Sequence, residues 1–163
     1  MATQTKKTTP KIEKPKDLPS LLQGTADAIR RSELGFASPY ALVLEWGRSF
    51  GPQPKPKGVK WGQRQRCYDN AYDLLEKHPT FTYCEGFVLA GPALFEVEHA
   101  WCVDEAGNVV DNALREPGFA YFGVPFDRNW VAVMVASGAA SLIDHLLMSE
   151  IVPKTAIAEP YRR

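Results

Sequence analysis

Three residues of this chain have the types and the order that a nucleophilic acyl-transfer centre needs: Cys67, His99 and Asp111. A cysteine attacks as its thiolate, so Cys67 would need its pKa lowered, by the N-terminus of a helix and by a neighbouring imidazolium. His99 would deprotonate the thiol and later protonate the leaving group. Asp111 would hold the ring in one tautomer and orientation. The competing reading of each is plain packing. A cysteine on the apolar face of a helix is commonly a small core residue, and that is the reading for Cys84 and Cys102. Trp101 reads as a packing residue that could also wall the site. Glu85 and Glu98 read as solvated strand residues, with a substrate-binding role as the alternative, and His78 and His145 as surface residues.

Composition narrows the chemistry. The chain has 163 residues, 45% of them hydrophobic, enough to bury one core and too few for two independent ones. Lysine plus arginine equals aspartate plus glutamate, 19 against 19, so no global field draws the molecule to nucleic acid or to an anionic membrane. Function must then reside in a local site. Neither a transmembrane helix nor a secretory hydrophobic segment is legible, which predicts an intracellular, cytoplasmic protein. Three cysteines are an odd number, with no Cys-x-x-Cys pair, and the three histidines lack the close spacing of a zinc site. A disulfide framework, a metal and a cofactor are therefore not expected.

The elements that must position these residues follow from periodicity. Residues 1–16 are rich in threonine, lysine and proline and predict a disordered basic tail ahead of a single domain over 17–163. Apolar residues at helical spacing predict helices from Asp17 to about Ser32 and from Ser38 to Arg48. The run GPQPKPKGVKWG at 51–62 predicts an irregular loop. From Gln63 to Lys77, Cys67, Asn70, Ala71, Leu74 and Leu75 share one face of a central helix, with Arg64 and Arg66 in its first turn, and His78-Pro79 ends it. The period then becomes two, predicting strands in TFTYCEGFVLA, ALFEVEHAWCVD, VVDNAL, FAYFGVPF and NWVAVMVAS, before a last helix from about Ala139 to Ile151. The fold class expected is α+β, with the N-terminal helices and the cysteine-bearing helix packed on an antiparallel sheet.

Parity places His99 on one face of its strand with Phe95, Val97, Trp101 and Val103. A hairpin turning at Glu105–Asn108 would set Val109 and Asp111 beside that strand, bringing Asp111 within reach of the imidazole. If that face packs on the helix carrying Cys67, the three groups converge at one edge of the core.

The runs RCYDNAYDLL, YCEGFV and EHAWCVDEAGNVVDNA resemble the core of the transglutaminase-like, papain-like superfamily of cysteine enzymes. There a helix-borne cysteine precedes strands carrying His-x-Trp and then an aspartate. The spacings, 32 residues from Cys67 to His99 and 12 from His99 to Asp111, fit that order. The resemblance covers about residues 61–126. It implies a papain-like core and acyl transfer through a thioester, with proteolysis, amide hydrolysis, deamidation, crosslinking and acetyl transfer among the outcomes. It also implies an oxyanion-stabilising group near the nucleophile, for which Gln63 and Gln65 stand beside the backbone N–H of Cys67. Asp111 is followed by Asn112 and Ala113, where family members often place a threonine after one residue. The partner expected is a peptide, protein or small amide substrate. The reading of a different class is a non-catalytic binding or inhibitor protein that keeps the fold, and nucleic-acid binding through the lysine-rich tail and loop comes third.

Overall fold

The computed structural model describes residues 17–31, 38–91 and 94–162; the predicted tail lies outside the described residues. Its helices are α1 (Leu18–Arg31), α2 (Pro39–Trp46), α3 (Cys67–Lys77), α4 (Arg128–Ala136) and α5 (Leu142–Ser149). Its strands are β1 (Arg48–Phe50), β2 (Thr82–Ala90), β3 (Phe95–Val103), β4 (Val109–Val110) and β5 (Ala120–Phe126). Every strand pairing is antiparallel, in the order β1-β5-β2-β3-β4. The sheet curls until its two edges meet: Gly51, following β1, bridges Asn108, and the Val109 N–H donates to the Gly51 carbonyl at 3.1 Å. No helix among the described residues is long and apolar enough to cross a membrane.

The curl gives the domain two cores. On the helix-covered side, Leu22, Val43, Ala71, Leu75 and Leu146 pack on Phe87, Ala100, Cys102 and Val124. The opposite face turns Phe50, Cys84, Val88, Trp101, Val103, Val109 and Tyr121 into a smaller second core enclosed by the meeting edges. Because both faces are buried, the expectation that the His99 face packs on the cysteine-bearing helix does not hold. The residues of β3 that meet α3 are the alternate ones, and the Cys102 thiol donates to the Ala71 carbonyl of α3 at 3.2 Å.

Other expectations change for local reasons. NWVAVMVAS is a helix rather than a strand. The Asp127 carboxylate accepts from the N–H groups of Asn129 and Trp130, and this N-cap outweighs the strand preference of alternating valines. The second helix stops at Trp46, and Arg48–Phe50 form a strand too short to show a period. The central helix begins at Cys67, not Gln63, so Arg64 and Arg66 precede its first turn; Gln65 has φ 59°, outside helical space. The strand read in VVDNAL keeps only Val109 and Val110, and the last helix spans Leu142–Ser149. Glu85 is not solvated: it is 1% exposed, on the helix-covered face of β2. Glu98 is exposed, as read.

Candidate active site

The cysteine sits where it does because two side chains arrange the turn before α3. Asn70, buried one turn into the helix, accepts the Gln63 N–H at 2.9 Å and donates its amide to the Gln63 carbonyl at 2.6 Å. Arg66 stands at the N-cap position without a side-chain cap, and its guanidinium pairs instead with Asp69 at 2.7 Å. Cys67 is thus the first helical residue, with the unsatisfied N–H groups of the first turn and the positive end of the helix dipole at its thiol.

The imidazole comes from the strand beside it. The His99 Nε2–H donates to Asp111 Oδ2 at 2.8 Å, with both side chains about 5% exposed. That leaves Nδ1 as the ring nitrogen for the thiol. β4 pairs with β3 only at Cys102 and Val103, so the outer edge of β3 is open from Trp101 backward among the described residues. Cys67 lies at this open edge, against the His99 ring and the backbone N–H of Ala100. The thiol and the imidazole, from opposite sides of the strand, meet around the edge.

The electrostatics draw the thiol and the imidazole in opposite directions, the first down and the second up. Burial pushes the Cys67 thiol up, but the His99 imidazole, with the N–H groups of Ala100 and Tyr68, overcomes this and holds it below the ordinary thiol value. Burial alone would lower the His99 pKa; the Asp111 carboxylate and the Cys67 thiol reverse this and raise it to about 9. Burial raises the Asp111 carboxyl, and the hydrogen bonds from His99, Ala113 and Leu114 bring it below its usual range. Cys84 and Cys102, fully buried, are pushed well up by desolvation, so Cys67 is the one of the three held below the ordinary thiol value.

Asp111 is itself held. It lies just beyond β4, where Oδ1 accepts from the N–H groups of Ala113 and Leu114 at 2.8 and 3.2 Å. Oδ2 also accepts from the Tyr121 hydroxyl at 3.0 Å, and that hydroxyl accepts the Gly118 N–H at 3.0 Å. Tyr121 escaped the sequence reading. Its one signal was parity, which sets it on the same sheet face as His99 once β5 is known to pair with β2. Comparison with protein-family models, curated proteins and solved structures gives no match for this chain.

The remaining sequence candidates are placed differently. Trp101 is wholly buried, its ring 6.2 Å from that of His99 and nearly parallel to it, and it meets Tyr121 edge-on. It supports the imidazole from within the core instead of offering surface to a substrate. Gly123 makes room for it, since a Cβ there would lie 2.6 Å from the indole and 2.5 Å from the Glu85 carbonyl oxygen. Gln63 and Gln65 are both exposed, and the Gln63 side chain accepts from Arg66 at 3.3 Å. The backbone N–H groups at the Cys67 thiol are those of Ala100, in β3, and Tyr68, in the first turn of α3. Two cavities flank the site. One of about 780 Å³ runs along α3 past Trp61, Gln63 and Asn70; one of about 210 Å³ lies between Trp61, Lys55 and Arg115 and reaches Asp111. Among the described residues no group of histidine, cysteine or acidic side chains is arranged to hold a metal ion.

Proposed function

We propose that the chain is a cysteine-dependent acyl-transfer or amide-hydrolysing enzyme with a papain-like, transglutaminase-like core, in which Cys67, His99 and Asp111 act together. One observation carries this reading: the only thiol lowered in pKa stands at a helix start, against an imidazole whose far nitrogen is bonded to a buried carboxylate. Packing does not require that arrangement, since apolar residues of similar volume would fill the same space without the cost of burying charged groups.

In this reading the Cys67 thiolate attacks the carbonyl carbon of an amide or ester, and the C=O electron pair moves onto oxygen. The N–H groups at the start of α3 stabilise that oxyanion. The tetrahedral centre collapses, the C–N or C–O bond breaks, and the imidazolium gives its proton to the leaving group. A thioester on Cys67 remains. Water or an amine, deprotonated by His99, attacks it and releases the thiol.

The test is alkylation. At pH 6 an ordinary thiol is roughly 0.3% thiolate, and Cys67 is expected to react with iodoacetamide roughly tenfold faster or more than such a thiol. Cys84 and Cys102 stay unmodified in the folded protein, as mass spectrometry of peptides would reveal. In His99→Ala the rate at pH 6 should drop and the profile move to higher pH, because burial then acts on the thiol without the imidazolium. Equal, slow labelling of all three cysteines defeats the proposal.

One observation favours a non-catalytic binding protein instead. Neither flanking cavity is lined by Cys67 or His99, and His99 is 4% exposed. Full biological effect in a Cys67→Ala variant would decide for that reading.

A further inference from the structure

The open edge of β3 does more than admit the thiol. Since β2 occupies the other edge, the Ala100 N–H that reaches Cys67 must point outward. Backbone groups alternate sides along a strand, so the N–H and C=O of Glu98 and Glu96 point outward too. Among the described residues no bridge is made to them. Among the described residues this is a row of donors and acceptors without strand partners, and it ends at Cys67.

Its side chains are equally uneven. On the His99 face, Phe95 is 66% exposed and Val97 48%, an apolar strip running toward the imidazole at successive same-face positions. Exposed apolar residues on an unpaired edge invite strand pairing, and proteins commonly blunt such edges. On the other face, Glu98 makes no hydrogen bond or ion pair with the described residues, and Asp144 from α5 is near enough to raise its pKa, after desolvation. Glu96 by contrast accepts a hydrogen bond from Thr25 of α1 at 3.4 Å. Among the described residues, the carboxylate left without a partner, Glu98, thus stands on the helix-covered side, and the exposed apolar surface on the other.

We propose that the β3 edge from Phe95 to Glu98 binds an extended peptide as an added strand, apolar toward the His99 face and basic toward Glu98, and leads its carbonyl to Cys67. The inference rests on the acyl-transfer reading for its last clause and names the substrate class of that site: a polypeptide in extended form, not a small amide. Main-chain hydrogen bonds would supply affinity, and alternate side chains the selectivity. A basic residue opposite Glu98 would relieve the repulsion between that carboxylate and Asp144.

Binding can be measured without the chemistry, using a fluorescein-labelled ten-residue peptide of alternating valine and lysine and the full-length protein, by fluorescence anisotropy. Replacing its lysines with glutamate is expected to weaken binding tenfold or more, and Glu98→Lys should invert that preference. N-methylation at the amides that face the protein should weaken binding by a similar factor, and methylation at the intervening amides should not. Amide hydrogen exchange at Glu96 and Glu98 should slow in the complex. Equal binding of all peptides, or no added protection at those two amides, overturns the proposal. So does concentration-dependent dimerisation that protects the same amides, which would make a second copy the occupant. Iodoacetamide labelling of Cys67 in the same samples reports on the acyl-transfer reading separately, because a peptide can occupy the edge whether or not the thiol reacts.

Discussion

Asp111→Asn is expected to lower kcat/KM of the proposed acyl transfer by on the order of 10⁴, with little change in KM. An asparagine Oδ1 can still accept from the Ala113 and Leu114 N–H groups. Its Nδ2 then faces His99 Nε2 and the Tyr121 hydroxyl, a donor where both need an acceptor. The ring is driven to the tautomer with its proton on Nδ1, and in that form it cannot take the proton of Cys67. The same substitution should appear in stability. The folded pKa of His99, about 9, is above its unfolded value of 6.5, so the contribution is complete below pH 6.5 and is lost as pH rises through about 9. The depressed Asp111 carboxyl contributes above its unfolded value of 3.8 and is lost in stronger acid. The gap in Tm between wild type and Asp111→Asn should therefore be widest from about pH 4 to 6.5 and should narrow toward pH 9. A gap that does not change with pH, or a variant of unaltered kcat, would remove Asp111 from its assigned role.

Glu85→Ala is expected to cost about 3 kcal/mol of stability, by leaving several neutral donors unsatisfied. Its carboxylate accepts from the Tyr83 hydroxyl at 2.8 Å, the Ser141 hydroxyl at 3.0 Å, and the N–H groups of Leu142 and Ile143 at 2.9 and 3.0 Å. Alanine leaves these donors buried without partners at the start of α5 and detaches that helix from the sheet. Glu85 pairs across the ladder with Ala100, whose N–H meets the Cys67 thiol, so the loosening is transmitted to the strand that bears the site. Glu85→Gln keeps one acceptor oxygen and should cost less. Burial pushes the Glu85 carboxyl up despite its donors. For a raised acid, the stabilising contribution is present below the unfolded value of 4.5 and is lost as pH rises through the folded one. Urea unfolding across that range should show a slope in wild type that the glutamine variant lacks. Equal stability of wild type and Glu85→Ala at every pH would contradict the buried network.

The order Cys67, His99, Asp111 and the change of period from helix to strand were legible because each is a local pattern. A helical stripe and a two-residue alternation survive whatever the rest of the chain does. The turn at Glu105–Asn108 followed from the same logic, and Gly107, with φ 78°, occupies the position where a side chain would strain it. The α4 segment was misread because alternating valines carry strand preference, while the deciding Asp127 cap spends only one residue of sequence. Glu85 was misread because a carboxylate on a strand is normally solvated, and its partners other than Tyr83 lie 56 to 58 residues away.

What the residues determined by themselves is the inventory: one thiol able to begin a helix, and one imidazole and one carboxylate able to share a face of adjoining strands. What the tertiary structure decided is how they meet. Burying both faces of a curled sheet puts the helix on one side of β3 and the histidine on the other, so contact is possible only around an edge that β4 leaves open. Parity assigns a side chain to a face, but whether that face is covered, and by which element, depends on long-range packing that no short stretch of sequence encodes.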